Sequence, residues 1–198
     1  MAGARYTSGA IVVISGPSGS GKTTLVRRLL SERPDLVWSV SATTRPPRRG
    51  EVDGQDYWFL NREEFERRIE ADEFAEYAES FGHLYGTPAG PLVDALESGH
   101  VVVLDIDLAG ARQIREKFSE AVLLWIKPPD MDTLRERLKR RKTETTEQFE
   151  SRLERAWKEI ESVGEYDAVI INDDLDTAAG ELGDLVHKIE GRGRGEGS

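Results

Sequence analysis

Ala10 to Leu30 reads AIVVISGPSGSGKTTLVRRLL: an apolar run, a glycine-rich turn and a stretch of helical period, in that order. Gly16, Pro17, Ser18, Gly19, Ser20, Gly21, Lys22 and Thr23 fit G-x-x-x-x-G-K-[ST], a pattern whose chemistry requires a strand before it and a helix after it. Both neighbours are there. Ala10 to Ile14 is an apolar run of strand length, and Leu25, Leu29 and Leu30 share one face of a helix beginning near Gly21. Glycines let successive backbone N–H groups converge on phosphate oxygens, and the helix N-terminus adds its positive end. Lys22 reaches the β and γ phosphates, and Thr23, followed by Thr24, brings a hydroxyl suited to Mg²⁺. The loop is read as the binding site of a nucleoside triphosphate.

Outward from this stretch, VVVLDID ending at Asp107, AVLLWI ending at Ile126 and AVII at Ala168 to Ile171 are further apolar runs, separated by segments of helical period. That alternation predicts an α/β fold with a parallel sheet. Residues 41–91 break the rhythm with a Pro/Arg/Gly loop, an alternating DYWFL and an aromatic FAEYAESFGHLYG, so they read as an insertion. Within it, Asn61 to Asp72 predicts a helix with Phe65 and Ile69 four apart behind an Asn61/Glu64 cap; just after it, Leu92 to Leu96 predicts another ending at Gly99. Asp130 or Asp132 is expected to cap a helix carrying Leu134 and Leu138; Thr145 with Gln148 forms a second capping box, the two helices joining at Lys142 to Glu144. The tail GRGRGEGS holds no apolar residue and is expected to be disordered.

The 198 residues suggest about one domain. Charged residues make up 32%, and the net charge of −10, with a pI near 4.9, opposes whole-chain attraction to nucleic acid or anionic lipid. With no Cys, thiolate nucleophiles and Cys-based metal sites are excluded. The three His are too scattered for a compact imidazole metal motif. No apolar run approaches the ~20 residues that span a bilayer, and the first nine residues lack a signal-peptide core. A cytoplasmic protein is the expectation.

Asp105 and Asp107, two apart at the end of the second apolar run, are read as pointing to one face at the carboxyl edge of the sheet, where open α/β sheets bind ligands. They suit a Walker-B-like group near Mg²⁺ better than the alternative, a pair of solvated acids capping the next helix. Arg45, Arg48 and Arg49 sit in a loop stiffened by Pro46 and Pro47. Guanidinium forks grip a phosphate dianion bidentately, although an Arg/Pro loop alone is also a common solvated turn. Tyr57 and Tyr85 offer phenolic hydroxyls to the same phosphate, or packing.

Taken together, GPSGSGKTT, SATTRPPRRGEVDGQDYWF, EYAESFGHLYGTP, LDIDLAGARQI, RLKRRKTETT with SRLERA, and YDAVIINDD resemble the guanylate kinase family, in the family's order from Ile11 to Leu185. T-T-R-x-x-R-x-G-E with Y-G-T is the specific part. The resemblance implies a parallel α/β sheet of the P-loop NTPase type flanked by helices, with an inserted GMP-binding subdomain and a helical lid. It implies a core of about 10–40, 92–128 and 157–190, a GMP-binding part of about 41–91 and a lid of about 129–156, before a tail of 191–198. The activity implied is ATP-dependent phosphorylation of GMP, and of dGMP, to the diphosphate in purine nucleotide metabolism, with Mg²⁺.

Residue by residue, the resemblance puts the GMP phosphate between Arg45, Arg48, Tyr57 and Tyr85, and guanine against Ser41, Glu76, Thr87 and Asp107. It closes Arg137, Arg141 and Arg152 over the triphosphate; Thr23, from the loop motif, and Asp105, from the strand-end acids, are the expected ligands of Mg²⁺. Guanine presents two adjacent donors, N1–H and the exocyclic amine, which one carboxylate accepts together. Adenine has no N1–H. Four positions depart from the family's usual pattern: Arg140 and Lys142 for Gly, Ala109 for Gln and Thr87 for Ser. Two rivals are weighed, a kinase of another nucleoside monophosphate and a non-catalytic binding module. Ser41, Glu76 and Thr87 oppose the first, the intact P-loop the second.

Overall fold

In a computed structural model, which describes residues 9–139, 149–150, 153–154, 156 and 163–195, the first apolar run lies at the centre of a five-stranded sheet. In chain order the elements are β1 (Ala10–Ser15), α1 (Lys22–Glu32), β2 (Val37–Trp38), β3 (Ala42–Thr43), β4 (Trp58–Phe59), α2 (Arg62–Glu70), β5 (Phe74–Ser80) and β6 (His83–Pro88). Then come α3 (Ala89–Glu97), β7 (Val101–Asp105), α4 (Leu108–Lys117), β8 (Val122–Lys127), α5 (Met131–Lys139), β9 (Ala168–Ile171) and α6 (Leu175–Gly195).

The large sheet has the order β2-β7-β1-β8-β9, every pair parallel. A strand with helices on both faces buries both sets of alternating side chains, which is why these runs are apolar throughout. Val12, Ile14, Val103, Leu124 and Ile170 pack against α1 and α6 through Leu25, Leu29, Leu182 and Val186. The alternate residues Val13, Val102, Leu104 and Trp125 pack against α3 and α4 through Leu92, Leu96, Ala111 and Ile114.

The insertion forms a second sheet of order β4-β3-β6-β5, antiparallel except for β3 with β4. Its small core is Ala42, Phe65, Phe74 and Leu84, with the two phenyl rings stacked 4.4 Å apart.

The structure adds to or corrects the sequence reading at four points. The edge strand β2 was not foreseen, because two residues carry no periodicity. Asn61 caps α2 through Glu64 N at 2.8 Å, but the Glu64 carboxylate accepts from Arg67 and Arg68 instead of closing the box. α3 starts three residues before Leu92. The tail expected to be disordered is helical as far as Gly195, since extending a helix already docked on a core costs far less than starting one. At α5 it is Asp130 that accepts from Thr133 N, at 2.7 Å. The Thr145/Gln148 box and the Lys142 to Glu144 joint lie outside the described residues.

Candidate active site

The glycines of the phosphate loop are there for geometry. Gly16, Gly19 and Gly21 have φ of 147°, 89° and 92°, a region that disfavours any side chain. A Cβ on Gly16 would meet Ile126 O at 2.1 Å, and one on Gly21 would meet Asn172 Nδ2 at 2.1 Å. Gly21 also begins α1 in the left-handed conformation with no side-chain cap, so the positive end of that helix faces the loop. Lys22 Nζ donates to Gly16 O at 2.6 Å.

One cleft of about 360 Å³, within the range of small-molecule sites, is lined by Gly16, Pro17, Ser18, Gly19, Gly21, Lys22, Thr23 and Thr24 and also by Ser41, Arg48, Tyr57, Glu76, Tyr85, Asp105 and Asp107. The large sheet's carboxyl edge and the small sheet therefore share a single cavity. Ala78, Ser80 and Phe81, from the β5–β6 hairpin, line it too; sequence reasoning gave none of them a role.

The two acids of the second apolar run are not equivalent. Asp105 ends β7, and burial pushes its carboxyl above the usual range against the opposing charge of Lys22. Asp107 lies beyond the strand as the N-cap of α4, accepting from Gly110 N at 3.1 Å. The expectation that both acids end the strand is thus corrected: the chain turns into α4 after Asp105, although both acids still line the cleft.

Glu76 is 3% exposed, an extreme position for a carboxylate. Thr87 Oγ1 donates to its Oε1 at 2.6 Å. Burial pushes its carboxyl up to about 7; the Thr87 bond opposes the shift and the Asp107 charge adds to it. Thr87 does not line the cleft: its one hydroxyl proton is committed to Glu76.

Arg45 is set back from the cleft as well. Its guanidinium forks onto Glu51 (Nη1–Oε2 2.9 Å, Nη2–Oε1 2.8 Å) and lies 5.4 Å from the centre of the Tyr57 ring. Glu51 Oε2 also accepts from Arg48 N at 2.6 Å. One acid thus shapes the whole arginine loop, and the Arg45 bond holds it below the usual carboxylate range.

The comparisons with known proteins fit this geometry. The guanylate kinase family model matches residues 8–189. A guanylate kinase of Maricaulis maris (strain MCS10) is 50% identical over 180 residues, which is 90% of this chain and 83% of that protein. One from Rubrobacter xylanophilus (strain DSM 9941 / JCM 11954 / NBRC 16129 / PRD-1) is 46% identical over 181 residues, 91% of this chain and 95% of that protein. The crystal structure of guanylate kinase from Anaplasma phagocytophilum superposes with a TM-score of 0.78 at 35% identity, covering 93% of this chain and 87% of that one.

The chain belongs to the guanylate kinase family. Of the residues assigned by resemblance to that family, Arg137 on α5 donates to Asn172 O at 3.0 Å and does not line the cleft; Arg141 and Arg152 lie outside the described residues. Ser20 is likewise set back, its carbonyl accepting from Asn172 Nδ2 at 2.7 Å. Sequence reasoning passed over Asn172, which is 5% exposed and holds the phosphate loop from the end of β9. It passed over Glu51 too, and Gln113 on α4, whose Nε2 donates to Tyr77 O at 2.8 Å. The E of T-T-R-x-x-R-x-G-E was a usable signal for Glu51. Asn172 lies in the segment YDAVIINDD, but nothing local shows what it holds, since its partner is 152 residues away.

Proposed function

We propose that this site transfers the γ-phosphoryl group of ATP to GMP. What supports the reading is that one cleft is lined both by the phosphate loop and by Arg48, Tyr57, Tyr85 and the buried acid Glu76. A phosphate oxygen of GMP attacks the γ-phosphorus, the bond to the β–γ bridging oxygen breaks, and ADP and GDP result. Such transfer depends mostly on positioning and charge stabilisation, so no protein general base is required. Lys22 and the loop amides hold the β and γ phosphates. Arg48, Tyr57 and Tyr85 hold the GMP phosphate, with Arg45 bracing Tyr57 from behind. Ser41, Glu76 and Asp107 face guanine, and Thr87 keeps Glu76 oriented. Arg137, Arg141 and Arg152 act on the triphosphate side.

Thr23 and Asp105 both line the cleft, and hard oxygen donors of this kind suit Mg²⁺, which takes one or two carboxylates besides phosphate oxygens. When bound, the ion neutralises charge on the phosphate oxygens. The same pocket accepts dGMP if no group reads the ribose 2′-hydroxyl. The functional unit comprises the parallel core, the GMP-binding part at about 41–91 and the lid at about 129–156. The acidic balance opposes whole-chain attraction to nucleic acid or anionic membrane; among the described residues no helix is long and apolar enough to cross a membrane. A role in purine nucleotide metabolism in the cytoplasm fits these properties.

A coupled assay of ADP formation with GMP, AMP, CMP and UMP offered in turn tests the reading. Activity is expected with GMP far above the others; comparable turnover of AMP, or turnover independent of any monophosphate, overturns it.

A further inference from the structure

α4 meets β5 along one face. Gly110, Gln113 and Lys117 recur on it at i, i+3 and i+7. Gln113 grips the Tyr77 backbone at both ends, its Nε2 donating to Tyr77 O at 2.8 Å and its Oε1 accepting from Tyr77 N at 3.2 Å. Lys117 Nζ donates to Phe74 O at 3.2 Å. These bonds fix how far the helix stands from the strand that carries Glu76.

At that separation Gly110 faces Glu76 directly. A Cβ on Gly110 would lie 2.4 Å from Glu76 Oε2 and 3.0 Å from Cδ, closer than any real contact. Backbone conformation gives no reason for this glycine: it sits inside α4 and is not among the residues of positive φ. Helix propensity argues against it, since Ala is the better helix former. The carboxylate cannot give way freely, being buried and held at Oε1 by Thr87.

We propose that Gly110 is a specificity-determining residue, whose missing side chain leaves the room in which the Glu76 carboxylate presents both oxygens to a purine carrying two adjacent donors. The inference rests on the reading of Glu76 as the acceptor of guanine N1–H and the exocyclic amine. Gly110→Ala displaces Oε2 while Oε1 stays on Thr87, so a base with both donors suffers more than one with N1–H alone. IMP, which lacks the amine, is the matching probe.

The test compares the native chain, Gly110→Ala and Glu76→Gln for kcat/KM with GMP and with IMP, KM for ATP, and thermal melting. For Gly110→Ala the expected result is a cooperative melt, KM for ATP within about twofold, and kcat/KM for GMP lowered at least about tenfold, as for a damaged charge-assisted hydrogen bond. IMP loses less, so the GMP/IMP ratio falls. If the ratio falls in Glu76→Gln and not in Gly110→Ala, the Gly110 inference is overturned and the reading of Glu76 stands. If it falls in neither, the reading of Glu76 fails and takes this inference with it. Equal losses for ATP and GMP mean general damage and overturn the proposal. Should Gly110→Ala not melt cooperatively, Glu76→Ala is added: recovery of the melt supports the contact, and its failure to recover overturns it.

Discussion

Thr87 and Glu76 form a closed pair: the Thr87 hydroxyl donates across 2.6 Å to Glu76 Oε1, and the two side chains are 0% and 3% exposed. The threonine favours the charged carboxylate and burial favours the neutral acid, and burial wins, leaving the group near pH 7.

GMP affinity should therefore depend on pH. An acceptor of two donors must be ionised, so KM for GMP is expected to fall about tenfold between pH 6 and pH 8. GMP's own phosphate titrates near pH 6, which makes Glu76→Gln the control for that part of the profile. Thr87→Val removes the bond favouring the charge and should move the midpoint higher. For folding the sign is opposite. A raised carboxyl stabilises the native state below its ordinary value of 4.5, and that stability is lost as pH rises through about 7, on the order of 3 kcal/mol in all. A KM profile identical to that of Glu76→Gln would show that this carboxylate does not meet the base.

Lys22→Ala should lower kcat at least ~10²-fold, comparable to removing one preorganised donor, with KM for GMP nearly unchanged. Steady-state kinetics on a variant with a native circular dichroism spectrum decide this. An unaltered kcat would remove Lys22 from the transferring phosphoryl group.

Arg48 and Glu51 should separate binding from stability. Arg48→Ala is expected to weaken GMP by ~1.5 to 3 kcal/mol and leave ATP alone. Glu51→Gln leaves Arg45 nearly buried without its counter-charge and should cost on the order of 2 kcal/mol of folding stability along with GMP affinity. Denaturant titration and KM for both substrates distinguish the two. ATP weakened with GMP untouched would move these arginines to the triphosphate side.

Asn172→Ala should raise KM for ATP and spare KM for GMP, because its amide holds Ser20 O at 2.7 Å on the phosphate loop. The loss expected is ~1 to 3 kcal/mol, that of a buried acceptor left unpaired. A proportionate loss for both nucleotides would make Asn172 a folding residue only.

The parallel sheet was legible because strands covered on both faces are apolar at every position, and the phosphate loop because its glycines, Lys22 and Thr23 lie within eight consecutive residues. Recognition of the base rests on pairs far apart in the chain. Glu76 alone reads as a solvated acid; what makes it otherwise is Thr87 across a hairpin and Gly110 on a helix 34 residues further on. Asn172 and Gln113 act by binding backbone groups, which leave no trace in side-chain pattern. Asp107 was half legible: its role as a helix cap could be read from the sequence, its displacement from the strand could not.

The small sheet is anchored unevenly. Its β5 edge is fastened to α4 by the Gln113 and Lys117 bonds, whereas on the opposite side the exposed Arg27–Asp56 pair spans 3.4 Å between α1 and the loop before β4. A plate screwed down along one side turns about that side. If the small sheet turned about that side, Glu76 on β5 would travel least, and Arg48 and Tyr57, towards the β4 margin, would travel furthest. A nucleotide leaving such a cleft would be let go by its phosphate first and by its base last.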